Sequence, residues 1–377
     1  MAPARLSGPP CMTPSLPFAD DRTRLRDAGR FSAAILPRVS RTFAISIRWL
    51  PGLLGRSVLA AYLLCRIADT VEDDSTAPVE RKAHLLDRLL QSFDDPRVAD
   101  GYDAEAADIR GESAHIELLR NTSRVFVLFR SLPAASQQHV RRWVSEMVVG
   151  MKKFVQLYPR GIRIETVAEY KEYCYYVAGT VGHLLTDLWH EHRPLTIGRA
   201  RYEALRAKCR EFGEALQTVN ILKDIAWDAE HENAIYIPGQ SLRDVGSSHE
   251  ELLSSVPERQ AANHAVISDF IRLASRDLDE ALEYTLTIPR RALAIRIFCV
   301  LPLLFAHATL RDLMASRAML RRGGQVKISR AEVKALLLMG PLLIGSNAGL
   351  RWLVTKVRQA PFTLGARVPA VQSAGAA

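Results

Sequence analysis

Residues 69–74 read D-T-V-E-D-D, directly behind the apolar run SVLAAYLLCRIA. On an α-helix four residues advance about 400° and about 6 Å, so Asp69 and Asp73 share a face, with Glu72 beside them. Like charges at this spacing disfavour an isolated helix by roughly 0.2–0.5 kcal/mol. They also sit at a helix C-terminal end, where the dipole disfavours anions. A bound cation removes both penalties, and an oxygen-only ligand set favours Mg²⁺ bridging carboxylates to phosphate. A second cluster lies in ALQTVNILKDIAWD, where Asp224 and Asp228 repeat the spacing. Gln217, Asn220, Asp224 and Asp228 form a polar stripe on a helix that otherwise carries Leu216, Val219, Ile221, Leu222 and Ile225. Such a stripe is costly to bury unless it is liganded.

One such pair is more often a solvated helix end than a metal site, and Asp74 is expected in solvent. Two pairs, each closing an apolar run, predict two walls of a cavity that holds diphosphate through bridging Mg²⁺. Arg41, Arg66 and Lys223 lie in or beside these segments and are placed to complete the anion site.

The elements that must position these groups are helices. Apolar residues recur with helical period near 52–73, 78–93, 113–131, 135–157, 165–190, 198–230, 259–285, 290–319 and 328–357. Pro and Gly fall between the runs, at Pro51-Gly52, Pro78, Pro133, Pro159 to Gly161, Pro194, Pro238-Gly239, Pro289 and Gly323-Gly324. The reading is one all-α domain over 31–357, with helices around a central cavity. Residues 1–30, which begin with five Pro in the first 21, read as a disordered leader, and 358–377 as a flexible tail.

Composition fits this picture. The chain has 377 residues, 48% hydrophobic and 24% charged, with net charge +9 and a pI near 9.5. A basic balance points to anionic partners such as phosphorylated substrates or an anionic lipid surface. The 50 Lys and Arg are spread along the chain rather than grouped on one face, which argues against nucleic acid. Five scattered Cys without a CxxC point to a reducing, cytoplasmic setting. No apolar run reaches the roughly 18–20 residues of a membrane span. The nearest is AEVKALLLMGPLLIGSNAGLRWLV, interrupted by Gly340-Pro341 and Arg351, which reads as a buried or membrane-surface helix.

Several ordered blocks resemble the squalene/phytoene synthase family of head-to-head prenyltransferases, from Ser40 to about Leu338. S-R-T-F at 40–43 resembles the family's phosphate-flap motif. Y-L-L-C-R-I-A-D-T-V-E-D at 62–73 and L-Q-T-V-N-I-L-K-D-I-A-W-D at 216–228 resemble its two aspartate-rich motifs. Y-C-Y-Y-V-A-G-T-V-G at 173–182 is similar to its central aromatic and glycine motif. F-C-V-L-P-L-L-F-A-H-A-T-L at 298–310 and V-K-I-S-R at 326–330 look most like the squalene synthase branch. Two departures stand out. Ser329 replaces a basic residue of the last loop, and A-E-H-E-N-A-I-Y-I-P at 229–238 has no Arg before its aromatic-Pro.

The resemblance implies an isoprenoid-synthase helical bundle that condenses two farnesyl diphosphates through presqualene diphosphate to squalene, with Mg²⁺ and NADPH. It implies Tyr173, Arg66 and Tyr62 as catalytic, and Asp69, Asp73, Asp224, Asp228 and Glu72 as metal ligands. Ser40, Arg41, Phe43, Val177, Gly179, Gln217, Asn220 and Lys223 are implied as substrate-binding, and Lys327 and Arg330 as contacts to NADPH. Phytoene or dehydrosqualene formation without reductant, or a terpene cyclase on the same fold, stands as the alternative. A di-iron centre is disfavoured, since Glu112 and His115 form one Glu-x-x-His where two are needed.

Overall fold

Proline sets many of the helix starts. Pro51, Pro78, Pro133 and Pro238 stand just before helices, and Pro96 and Pro257 occupy first turns, where a missing N–H costs nothing. The structure is a computed structural model that describes residues 18–363, with only the backbone of 18–20 and of Arg41. In chain order the helices are α1 (Phe18–Val39), α2 (Arg41–Arg48), α3 (Gly52–Glu72), α4 (Val79–Gln91), α5 (Pro96–Glu105), α6 (Ser113–Leu119), α7 (Thr122–Arg130), α8 (Ala134–Leu157), α9 (Val167–Cys174), α10 (Thr180–His192), α11 (Arg199–Arg206), α12 (Cys209–Trp227), α13 (Gly239–Arg243), α14 (Pro257–Thr287), α15 (Leu293–Ala315), α16 (Arg330–Leu343) and α17 (Asn347–Gln359). Two π-helical turns, Tyr175–Gly179 and Asp228–Glu232, follow α9 and α12. Among the described residues there is no strand, only one bridge between Arg163 and Ile235.

The all-α expectation holds, and most expected helices form. The run 113–131 divides because Asn121 turns its side chain back, donating from Nδ2 to Glu117 O at 2.8 Å. The N-terminal boundary is corrected. Residues 18–30 belong to α1, whose buried positions Ala28, Ser32, Ile35, Leu36 and Val39 make one stripe packed on α2, α3 and α7. Residues 1–17, the rest of the expected leader, lie outside the described residues, as does 364–377. At the other end α17 continues to Gln359, and Arg358 is held by Asp279 and by His307.

The core runs through α3, α8, α10, α12, α14 and α15. Of the described helices only α15 is long and apolar enough to cross a membrane, and 83% of that stretch is buried inside the fold. It is the central core helix, so the most apolar element is not the 331–354 stretch. Its buried Arg296 donates to Ile288 O at 2.6 Å, Ile344 O at 2.8 Å and Asn347 Oδ1 at 2.8 Å, tying α15 to the C-terminal helices. Arg311 grips Glu332 of α16 through both oxygens at 2.7 and 2.8 Å.

Candidate active site

Helix α3 is buried along most of its length, so its C-terminal carboxylates emerge into the interior rather than into solvent. Asp69, Glu72 and Asp73 line a cavity of about 620 Å³, facing Gln217 and Asn220 of α12 and Asp228 and Glu232 of the π turn behind it. Tyr173 and Tyr236 complete the wall. The rings of these tyrosines stack at 4.7 Å, and Tyr173 Oη donates to Tyr236 Oη at 3.2 Å and reaches Glu72 Oε1 at 3.5 Å.

The two acidic clusters therefore do face each other. Their electrostatics record the crowding. Burial, with Glu232 and Asp224 nearby, pushes Asp228 up to about 9. Burial and Asp69 raise Glu72 to about 8, and burial and Asp224 raise Glu232 to about 7. Asp73 is driven well above the carboxylate range by burial, Glu232 and Glu72. Burial also raises Asp69, against the pull of Arg66. Burial alone would lower Arg66, but Tyr62, Asp69 and Asp73 raise it. Its Nη1 lies 3.4 Å from Asp69 Oδ2, and its buried Nε has no partner.

This donor set suits a hard cation. Every ligand is oxygen, the groups come from two walls, and Arg66 and Lys82 offset only part of their charge. Among the described residues no three His, Cys, Asp or Glu stand close enough to hold a metal by themselves. A cation that also binds substrate phosphate needs only one or two carboxylates from each wall. Asp69, Asp73 and Asp228 are placed for that, with Glu72 behind them. Asp224 stands at the edge, paired with Lys223, and neither lines the cavity.

The polar chamber adjoins an apolar one of about 930 Å³. Arg66, Asp69, Val177, Gln217 and Asn220 belong to both. Beyond them come Phe43, Tyr62, Leu185, Phe212, Leu216 and Phe298. The Phe43 ring lies 5.7 Å from that of Tyr62 and 6.4 Å from that of Phe298. Tyr62 Oη donates to Val39 O at 3.4 Å, so its hydroxyl ties α3 to α1.

Other expected residues fall elsewhere. Ser40 caps α2, accepting from Phe43 N at 3.1 Å. The side chain of Arg41 lies outside the described residues. Gly179 serves packing: a Cβ there would stand 2.9 Å from the Tyr175 ring and 3.2 Å from Glu214 Oε1 of α12. Asp74 is corrected from a solvent residue to a buried one, accepting from Thr76 N at 2.8 Å, Ala77 N at 3.2 Å and Arg110 N at 2.8 Å. It closes the turn after α3. Lys327 and Arg330 are exposed and line none of the cavities around the carboxylates.

Glu232 and Tyr236 were not among the expected site residues. Tyr236 sits in the aromatic-Pro stretch IYIP, which was a usable signal. Glu232, four residues after Asp228, continues the polar stripe, although a π turn rather than regular helix brings it to the wall.

A profile of the squalene/phytoene synthase family matches residues 36–332. The chain belongs to the squalene/phytoene synthase family. Among curated relatives of this family, the squalene synthase of Solanum lycopersicum is 28% identical over 284 residues, 74% of this chain and 63% of that protein. The squalene synthase of Schizosaccharomyces pombe is 26% identical over 302 residues, 78% of this chain and 63% of that protein. The matched region thus spans less than two thirds of these relatives. The fold is similar to that of TcSQS solved with the ligand BPH1237, at a TM-score of 0.73, 23% identity, and coverage of 88% of this chain and 98% of that one. A dehydrosqualene synthase solved with ligand gives a TM-score of 0.51 at 19% identity, covering 90% and 98%.

Proposed function

We propose that this protein is a squalene synthase, joining two farnesyl diphosphates head to head through presqualene diphosphate. The observation that carries this reading is the junction of the two chambers. A carboxylate-lined chamber adjoins an apolar one and shares Arg66, Asp69, Val177, Gln217 and Asn220 with it. A diphosphate head fits the first and an isoprenoid tail the second. The squalene synthases among its relatives agree with this choice within the family.

The chemistry follows from where charge develops. Bound Mg²⁺, held by Asp69, Asp73 and Asp228, would neutralise the diphosphates and stabilise the leaving group. Arg66 adds a fixed positive charge at the junction of the chambers. When the allylic C–O bond breaks, its electron pair leaves with diphosphate and the carbon becomes cationic. The apolar chamber keeps water from that carbon, and the faces of Phe43, Tyr62 and Phe298 stabilise positive charge. The double bond of the second substrate attacks, and the cyclopropane closes as a C–H proton passes to the released diphosphate, the base that the step itself generates. Burial holds the Tyr173 hydroxyl well above its ordinary range, so it keeps its proton and donates it. It is the one hydroxyl that reaches both Glu72 and Tyr236, which makes it the proton relay of the wall.

Reduction of the final cation to squalene calls for NADPH. Lys327 and Arg330, exposed and away from the cavities, form no cradle for a dinucleotide, so the product assay decides this half. Purified protein is incubated with farnesyl diphosphate and Mg²⁺, with and without NADPH. Squalene formed only with NADPH supports the proposal. Dehydrosqualene in both arms moves the protein to the non-reducing alternative, and turnover of only the C20 substrate refutes the choice of farnesyl diphosphate.

The membrane expectation gains a face. Helix α16 exposes Leu338 and Leu342, 51% and 66% accessible, in line with Lys334 one turn earlier. An apolar stripe next to cations suits an anionic lipid surface. Co-sedimentation with anionic vesicles that is lost in Leu342→Glu supports peripheral docking. Absence of binding at low salt refutes it.

A further inference from the structure

Away from the carboxylate rim, α9, α12 and α14 border another cavity, of about 630 Å³. Its floor is Tyr170 and Cys174 of α9 with Thr218 of α12, all buried. Its walls are Glu211 and Glu214 of α12 and Leu273 and Asp277 of α14, all half-buried. Lys171 and Arg210 stand exposed at the rim. The cavity shares no residue with the polar and apolar chambers of the active site. One turn of α9 serves both sides, since Tyr173 faces the carboxylate chamber while Tyr170 and Cys174 face this cavity.

Its charges do not balance, because three carboxylates meet two cations. Arg210 is already committed: it pairs with Glu214 and lies over the Tyr175 ring, 4.9 Å from its centroid. Among the described residues neither Glu211 nor Asp277 makes an ion pair, and Glu211 Oε2 is buried without a hydrogen-bond partner. Burial raises Asp277 above the ordinary carboxylate range against the pull of Lys171 and Arg276, and Glu211 adds to the rise. Burial raises Glu214 as well, against Arg210. The floor is also unsatisfied. Tyr170 is 1% exposed, and its Oη lies against Thr218 and Cys174 without a hydrogen bond of good geometry to either. Leaving such a hydroxyl unpaired costs about 1–3 kcal/mol, and its oxygen is free to accept from a donor in the cavity.

We propose that this cavity binds a small organic ammonium ion, which donates to Glu211, Asp277 and Tyr170 Oη. A primary ammonium group carries three N–H donors and one positive charge. That matches two unpaired carboxylates, one hydroxyl oxygen and a surplus of one negative charge. A bare divalent ion is disfavoured, because Lys171 and Arg210 repel it from the rim. Among the described residues no three acidic groups stand close enough to hold one. Leu273 and the Tyr170 ring give the alkyl part of the ligand an apolar wall. The site is independent of the proposed condensation.

Saturation-transfer NMR titration with n-butylamine near neutral pH, with 1-butanol as its uncharged twin, tests it. The amine should bind at least about tenfold more tightly than the alcohol, as a charged hydrogen bond implies. Glu211→Gln and Asp277→Asn should each weaken amine binding by roughly tenfold for the same reason. Asp103→Asn, which removes an exposed carboxylate of α5 away from this cavity, should stay within about twofold of wild type, since distant surface charge is screened. Tyr170→Phe should weaken binding about threefold. It should nonetheless leave the urea midpoint of amine-free protein unchanged or raised, because the hydroxyl it removes has no partner there. A lowered midpoint shows that the hydroxyl is satisfied within the protein and overturns the assignment. The active-site carboxylates are the competing place for an amine, and Asp228→Asn separates the two. Binding lost in Asp228→Asn but kept in Glu211→Gln overturns the site, as does equal binding of the alcohol, equal loss in Asp103→Asn or no binding by wild type.

Discussion

Gly213→Ala should destabilise the protein, although the same change in most helices stabilises it. Gly213 lies in α12 where that helix meets the π turn of Tyr175–Gly179. A Cβ there would stand 2.6 Å from the Ala178 carbonyl carbon and 3.1 Å from Gly179 N, and nearer still to Ala178 O. Non-bonded carbon contacts settle at about 3.5 Å, so the two elements must part by roughly 1 Å. The obstacle is backbone, and no side chain can turn aside. Overpacking of this kind costs about 1–3 kcal/mol, against a gain of about 1 kcal/mol in helix propensity. With a rigid obstacle the upper part of the range applies, and the net loss is about 1–2 kcal/mol. Gly101 of α5 is the control, because a Cβ there meets nothing within 4 Å. Gly101→Ala should gain about 0.5–1 kcal/mol. Urea unfolding followed by circular dichroism reads both midpoints, with the slope m checking that the change lies in stability. A Gly213→Ala midpoint at or above wild type would refute the packing argument. Gly213 and Ala178 both line the apolar chamber, so the variant should also turn over prenyl substrate more slowly.

Asp69→Asn and Asp228→Asn should each cut Mg²⁺-dependent product formation at least about 100-fold. Each should also abolish the rise in melting temperature that Mg²⁺ with diphosphate gives wild type; a retained rise refutes their role in holding the cation. Tyr173→Phe should lose about 10²–10⁴ in kcat, the span of proton-transfer catalysis, with its circular dichroism unchanged. Glu332→Gln should cost about 1–3 kcal/mol in urea unfolding, because it leaves the largely buried Arg311 with Asp312 as its remaining partner charge. Burial, and then Arg358, push the His307 imidazole down to about 3, below its ordinary 6.5. Between those values the unfolded chain binds the extra proton and the folded one does not, so stability falls as pH drops below about 6.5. The gap in melting temperature between wild type and His307→Gln should therefore close as pH falls from 7 to 5, and a constant gap refutes this.

The helical fold was legible because its signals are local. Pro51, Pro78, Pro133 and Pro238 end one run and open the next, and apolar period marks what lies between. The facing acidic clusters were legible because α-helical geometry fixes which side chains share a face, and α3 and α12 keep that geometry through Asp69, Gln217 and Asn220. Helix α1 was missed where Arg-rich, Pro-flanked sequence hid a narrow apolar stripe, Ala28 to Val39, that only packing against α7 reveals. Asp74 looked like a solvated cap. Its burial follows from Arg110 N reaching it across 36 residues, and no local pattern carries that.

The wall also explains why the fold spends so much order on its other side. Five carboxylates share one chamber rim, and burial raises the affinity of Asp69, Glu72, Asp73, Asp228 and Glu232 for protons. Without a cation such a rim opposes folding, since each charge is both desolvated and repelled. Two π turns, Tyr175–Gly179 and Asp228–Glu232, border the chamber through Val177, Asp228 and Glu232. Departures of this kind survive where the surroundings over-determine them. Here the surroundings are Gly182 and Gly213, which let α10, α12 and the first π turn approach at backbone contact. Rigid packing behind the chamber holds the carboxylates at a spacing they would otherwise leave.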